Sequence, residues 1–400
     1  MPDTAYLDYA AATPLDPSVL EAMMPYLTEL FENPSAPYAR ARAVRARLEE
    51  ARADLAHAIG ARPGNVVICA GATEANNLAF ATVSPGGHVV TDAIEHESVL
   101  ACARAHQGTV VGVSREGRVD PAEIARAITP QTELVSVELA NGEIGTVQPI
   151  RDIARVVSAE RMRRLEAGES RPIWLHTDAS QAAGHMSVSV STTGADLMTL
   201  SAAKVYGPKQ VGLLYAAEGV RLAPLVMGGG QEAGVRSGTE NVAGAVGFAR
   251  ALHIAEELRA TERSRLARLR SRLLSRLEAE FPWMRISGPR NEKRRLPGLL
   301  SVSLPDVDAR RLVVLLERSG VSVGTGSACA ASRMRSSHVL EAIGLSPEEA
   351  AGSLRIALGR PTTEDEVDFA AQAIAAAVRS EMARTGLTDE GQLARWGRGA

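Results

Sequence analysis

Between residues 65 and 216 the chain repeats one pattern: a short apolar run rich in β-branched residues, then a helical stretch. The runs are NVVICAG (65–71), HVVTDAI (88–94), TVVGVS (109–114), ELVSVELA (133–140), IWLHTDA (173–179), DLMTLSA (196–202) and VGLLYA (211–216). Strands alternating with helices predict a mainly parallel sheet, buried and covered by helices on both faces, so the fold class is α/β. Such sheets bind ligands at the carboxyl ends of their strands. Before the repeat, Val44, Leu48, Leu55 and Ile59 fall at helical spacing, and Gly60 ends that helix. After it comes a long helical region over 242–280, then a smaller α+β pattern. That pattern comprises strands GLLSVSL (298–304) and SLRIAL (353–358) and helices over 308–319 and 363–384. The expected division is a large α/β domain over 15–255, a small α+β domain from 1–14 and 256–385, and a loosely held tail over 386–400.

The 400 residues are 45% hydrophobic, enough for both cores, and the net charge of −3 argues against direct binding of nucleic acid. No signal peptide is expected from the acidic start, and no run of about 18 apolar residues predicts a membrane span. Cys69, Cys102 and Cys329 form no Cys-x-x-Cys pair. That argues against a structural zinc site or a disulfide framework and fits a reducing cytoplasm.

Unusual residues collect after the strands. The chain is rich in arginine and has three lysines, Lys204, Lys209 and Lys293. Lys204 follows a strand and precedes a Tyr-Gly-Pro turn. It is either a solvated surface residue or a Schiff-base lysine, a task closed to the permanently charged guanidinium. CAGATEANN (69–77) is a strand, a Gly turn and a helix start; it is either simply that start or a phosphate cup made by free N–H groups and Thr73. Asp178, in LHTDASQ, either caps the next helix or faces the ring nitrogen of a pyridoxal cofactor. His96, in AIEHES, is a structural imidazole or one that stacks on a ring and moves protons. GGGQEAGVRSGTEN (228–241) is no dinucleotide fingerprint, since no strand precedes it in the required way. Cys69 and Cys102 read as buried hydrophobes. Cys329, in a small-residue loop close to Arg333 and Arg335, reads as an accessible thiolate. Arg355 is a fixed cation suited to a carboxylate.

Taken in order, GATEANN, EH, EIG, HTDASQ, KVYGPK, GGGQE with RSGT, GSAC and SLR with GR and TT resemble the cysteine desulfurases, class-V aminotransferase-like enzymes of the fold-type I pyridoxal-phosphate architecture. The match runs from YLDYAAATPLDP (6–17) to LGRPTTEDEVD (358–368) and is nearest the branch serving iron–sulfur assembly and tRNA thiolation. The resemblance implies pyridoxal 5'-phosphate as cofactor, covalently linked to Lys204, with Asp178 on the pyridine nitrogen and Gln181 on the ring hydroxyl. It implies His96 over the ring, Ala72, Thr73 and Ser201 on the phosphate, and Thr239 entering from the second subunit of a homodimer. Arg355 and Asn141 would bind the substrate L-cysteine. Cys329 would take its sulfur as a persulfide, leaving L-alanine, and pass it to an acceptor or scaffold protein.

Several positions depart from the family pattern. Its Ser-Gly-His-Lys is here Ser201-Ala202-Ala203-Lys204, and its Asn-Asn-Glu-Ile-Gly is Asn141-Gly142-Glu143-Ile144-Gly145. Ala39 and Arg42 stand where an early His and Gly are usual. Each loss removes a polar contact, so the alternative is a lyase, epimerase or aminotransferase of the same fold acting on another amino acid. A non-catalytic partner protein would have no need for Lys204, Asp178, His96, Arg355 and Cys329 together.

Overall fold

A computed structural model describes residues 2–325 and 337–397. Its centre is a seven-stranded sheet in the order β2-β8-β7-β6-β5-β3-β4. The strands are β2 (Val66–Cys69), β3 (His88–Asp92), β4 (Thr109–Val111), β5 (Thr132–Ser136), β6 (Trp174–Asp178), β7 (Leu197–Ser201) and β8 (Gly212–Ala216). From β4 through β7 all pairings are parallel, whereas β8 runs antiparallel to both β7 and β2. The exception follows from chain length. Residues 202–211 are too few for a crossover, which needs roughly a dozen residues or more, so the chain must turn back. That turn carries Lys204. The run 109–114 was expected to be buried, but β4 is shorter and lies at the sheet edge, with Thr109 and Val110 exposed. An edge strand has one neighbour and one open side.

Helices cover both faces. On one face α1 (Pro17–Thr28), α2 (Ala39–Ala58) and the first half of α8 (Val242–Glu280) bury Val44, Leu48, Leu55, Phe248 and Leu252 against Val137, Leu175 and Met198. On the other face α3 (Ala72–Phe80) and α4 (Glu97–Ala105) bury Leu78, Phe80 and Val99 against Val89, Leu134 and Leu214. Between strands the chain also forms α5 (Pro121–Ala127), α6 (Ile150–Glu166) and α7 (Val190–Thr193).

The second half of α8 belongs to another core. Its Leu266, Leu269, Leu273 and Leu277 pack with a three-stranded antiparallel sheet of β9 (Arg285–Ser287), β10 (Leu299–Ser303) and β12 (Ser353–Ala357). Around that sheet lie α9 (Ala309–Arg318), α10 (His338–Ala342), α11 (Pro347–Ala351) and α12 (Glu364–Thr385). The N-terminal strand β1 (Ala5–Tyr6) pairs parallel with β11 (Val321–Ser322), and the chain then crosses to the large sheet.

The tail is where expectation fails. Residues Asp389–Trp396 form α13, docked on the small core. Trp283, fully buried, donates from Nε1 to Asp389 at 3.0 Å. Trp396 donates to Asp306 at 2.8 Å, and Gln392, 2% exposed, donates to the Pro305 carbonyl at 2.9 Å. The anchors are polar groups and an indole, so counting aliphatic residues misses them. Asp389→Ala strands the buried Trp283 N–H, and we expect it to destabilise the protein by about 1–3 kcal/mol in denaturant unfolding.

Candidate active site

The carboxyl ends of β3, β5, β6 and β7 open into a cavity of about 590 Å³, a size ordinary for small-molecule sites. Lys204, Asp178, His96, Gln181, Ala72, Thr73, Ser201, Asn141 and Arg355, the candidates from the sequence, all line it, and so does His338. Thr239 does not, and Cys329 lies outside the described residues.

Lys204 is held from the N-terminal segment. Its Nζ donates to the carbonyls of Ala10 at 2.7 Å and Ala11 at 2.8 Å. That segment is fastened to the lysine turn by Thr13. Thr13 donates from N and Oγ1 to the Ala203 carbonyl at 3.2 and 3.0 Å, and its Oγ1 accepts from Tyr206 N–H at 2.9 Å. Tyr206 has φ of +64°, a sparsely populated conformation for a bulky residue, beside the reactive amine. Arg360 stacks 3.7 Å from the Tyr206 ring and helps hold it there.

Asp178 ends β6. Its Oδ1 accepts from Ser180 N–H at 2.9 Å, and its Oδ2 accepts from Asn76 at 2.8 Å. The Asn76 amide also donates to Ser98 Oγ at 2.9 Å, and Ser98 Oγ lies 2.8 Å from His96 Nδ1. His96 caps α4 by accepting from Ser98 N–H. Burial holds the imidazole below its usual range, with Asp178 opposing that shift. One continuous hydrogen-bonded chain therefore links the carboxylate to the imidazole. Asn76 and Ser98 were not singled out from the sequence; both lie inside the motifs that were, but nothing local marks them as links.

Arg355, on β12, gives Nη2 to Asp8 at 2.8 Å and Nη1 to the Gly142 carbonyl at 3.3 Å. Its buried Nε has no partner among the described residues, so that donor is open to a carboxylate. Asn141 behaves differently from expectation. Its amide nitrogen donates to the Ile94 carbonyl and Glu138, and its oxygen accepts from the N–H groups of Glu143 and Ile144. All four of its hydrogen-bonding positions are used to clamp the turn, so none remains for a substrate. Gly142 leaves room for Gln181: a Cβ there would lie 2.6 Å from Gln181 Nε2, which donates to the Ala10 carbonyl at 3.0 Å.

Below this layer lie three buried acids. Asp92 and Glu95 are fully buried, and Glu138 nearly so. Asp92 Oδ2 and both Glu95 oxygens lack partners among the described residues. Burial pushes Asp92 up to about 7. It pushes Glu95 and Glu138 well above the carboxylate range, reinforced by Asp92 and Asp178. Neighbouring buried carboxyls cannot all ionise, so Glu95 and Glu138 hold protons, and Asp92 gives up its own only as pH passes through about 7. Among the described residues no His, Cys, Asp and Glu group could hold a metal ion. None of the described helices is long and apolar enough to cross a membrane.

The aminotransferase class-V family matches residues 5–369. A cysteine desulfurase IscS of Clostridium botulinum is 39% identical over 374 residues, 91% of each chain. A solved NifS-like protein superposes with a TM-score of 0.85 at 32% identity, over 94% of this chain and 100% of that one. SspA in complex with cysteine gives 0.73 at 32% identity, over 89% and 99%. The chain belongs to the class-V aminotransferases, within the cysteine desulfurase family.

Pyridoxal 5'-phosphate is the cofactor, and the pocket suits it. The first turn of α3 begins at Gly71 (φ +90°) with no side-chain cap, leaving N–H groups for a phosphate. Asp178 is braced by two donors, and Lys204 is within the same cavity. Ala203 contributes no polar group to it.

Two outcomes follow from this geometry. The folded pKa of Asp92 lies above its unfolded value of 3.8, so its contribution to stability is complete below about that pH and lost as pH climbs through about 7. Thermal unfolding should therefore show a decline over that window, flattened in Asp92→Asn. Gly142→Ala should destabilise the cofactor-free protein by about 1–3 kcal/mol through overpacking. Adding Gln181→Ser should recover most of the loss, which a double-mutant cycle measures.

Proposed function

We propose that this protein is a pyridoxal-phosphate-dependent cysteine desulfurase that removes sulfur from L-cysteine, leaves L-alanine and holds the sulfur as a persulfide on Cys329. The observation that carries this reading is the cavity that gathers Lys204, braced Asp178, neutral His96 and Arg355 with its spare Nε. The atoms balance without an oxidant: cysteine loses one sulfur to become alanine, and the Cys329 thiol gains it. When bound, the cofactor supplies an electron sink for the Cα–H bond pair.

The chain's own groups divide the work. Arg355 binds the substrate carboxylate through the side of its guanidinium that Asp8 leaves open. Lys204 anchors the cofactor and handles protons at the substrate. Asp178 would keep the ring nitrogen protonated, its carboxylate aimed by Asn76 and Ser180. Ala72, Thr73 and Ser201 would hold the phosphate, Gln181 would meet the ring hydroxyl, and His96 would stack on the ring. Asn141 keeps its turn closed rather than touching substrate.

Further readings rest on the same basis. The two hydrophobic cores support a large domain over 15–255 and a small one from 1–14 and 256–385. A homodimer is supported by exposed apolar side chains: Leu20, Met24 and Leu27 on α1, Phe31 beyond it, and Met227, which is 82% exposed. Thr239 then enters the partner's cavity. The sulfur passes to an acceptor protein.

The test is a single turnover with L-cysteine, scoring alanine and persulfide in the native protein and in Cys329→Ala after absorbance shows that both hold cofactor. We expect both products from the native protein and no persulfide from the variant. Bound cofactor with neither product in the native protein would assign the pocket to another amino acid.

A further inference from the structure

Two imidazoles line the cavity, and their hydrogen bonds fix opposite tautomers. His96 Nδ1 accepts from Ser98 N–H at 3.1 Å. A backbone N–H can only donate, so Nδ1 carries the lone pair, and the proton of the neutral ring sits on Nε2. His96 can give a hydrogen bond through Nε2 but has no second lone pair to accept a proton. His338 is the reverse. Its Nε2 lies 3.0 Å from the Glu95 carbonyl oxygen, which can only accept. Nε2 therefore bears the proton, and Nδ1 is the acceptor.

His338 is also held firmly. It opens α10, whose Val339 and Leu340, with Ile343 just past its end, pack with Ile94 and Ile144, the residues beside Glu95 and Glu143. Ser337 caps α10 and donates to Glu143. The charged and titratable groups that line the cavity with His338 are Glu95, His96, Glu97, Arg104, Glu138, Glu143, Asp178, Lys204 and Arg355. Of these acids, burial pushes Glu95 well above the carboxylate range and raises Glu143.

We propose that His338 is the general base of this cavity and takes the proton of a thiol. The S–H bond breaks, the proton moves to Nδ1, and the electron pair stays on sulfur as a thiolate. The imidazolium returns its proton to solvent or product, so no co-reactant is consumed. The thiol is that of the substrate or that of Cys329. The first source rests on the desulfurase reading above; the second does not.

His338→Gln separates holding from proton transfer, because a Gln amide can still donate to the Glu95 carbonyl but has no basic nitrogen. Two pH profiles are measured for the native and variant proteins. One is single-turnover alanine formation. The other is alkylation of Cys329 by iodoacetamide without cysteine, read by peptide mass spectrometry. A base contributes on the order of 10²-fold or more, so a loss of that size near neutral pH is expected, with partial restoration by added imidazole. A loss in both profiles identifies the Cys329 thiol, and a loss in alanine formation alone identifies the substrate's. Unchanged profiles overturn the proposal. So do equal losses in His338→Gln and His338→Ala that imidazole does not restore, with folding checked by melting and cofactor by absorbance. If the native protein makes no alanine, the desulfurase reading fails while alkylation still reports on His338.

Discussion

The short return from β7 to β8 organises this molecule. With too few residues for a crossover, the chain reverses at the carboxyl end of the sheet and leaves Lys204 on the turn. A turn this tight, with Tyr206 in the left-handed region, needs bracing from elsewhere. The brace comes from residues 10–16, which bond to both sides of the lysine and supply two carbonyls to its amine. Just before it, Asp8 orients Arg355. One stretch near the N-terminus thus ties the anchor for the cofactor to the cation for the substrate. It can do so because its β1 strand is paired into the small unit.

The cavity has two layers with different electrostatic duties. The upper layer places Asp178, Asn76, Ser98 and His96 on one chain of hydrogen bonds, so the carboxylate keeps its aim and the imidazole its tautomer. The lower layer holds Asp92, Glu95 and Glu138, whose carboxyls burial pushes up, Glu95 and Glu138 well above the carboxylate range. Neutral acids there spare the protein the cost of several like charges in a dry interior. Gly142 belongs to the upper layer through what it lacks: without a Cβ, the Gln181 amide has its place.

Much of the fold was legible from period and composition. The alternation over 65–216 predicts a mainly parallel sheet, and the helical spacing predicts α2, α8 and α12, because apolar periodicity records which face is buried. The placement of most functional groups was equally legible, since a charged or Gly-rich cluster after a buried strand has few structural reasons to exist. The edge position of β4, the docking of α13 and the committed amide of Asn141 were not. Each depends on a partner distant in the chain: an absent neighbour strand for β4, Trp283 and Asp306 for α13, and Ile94 and Glu138 for Asn141.

By itself the sequence determined the class of sheet, the end of it that binds a ligand and the residue types available for the chemistry, because these follow from local pattern and from what each side chain can do. Tertiary structure alone decided which groups are neutral, which nitrogen of each imidazole carries the proton and which amides are already spent. Those properties are set by burial and by hydrogen-bond partners that converge from β3, β5, β6, α3, α4 and α10, and no local stretch of chain contains them.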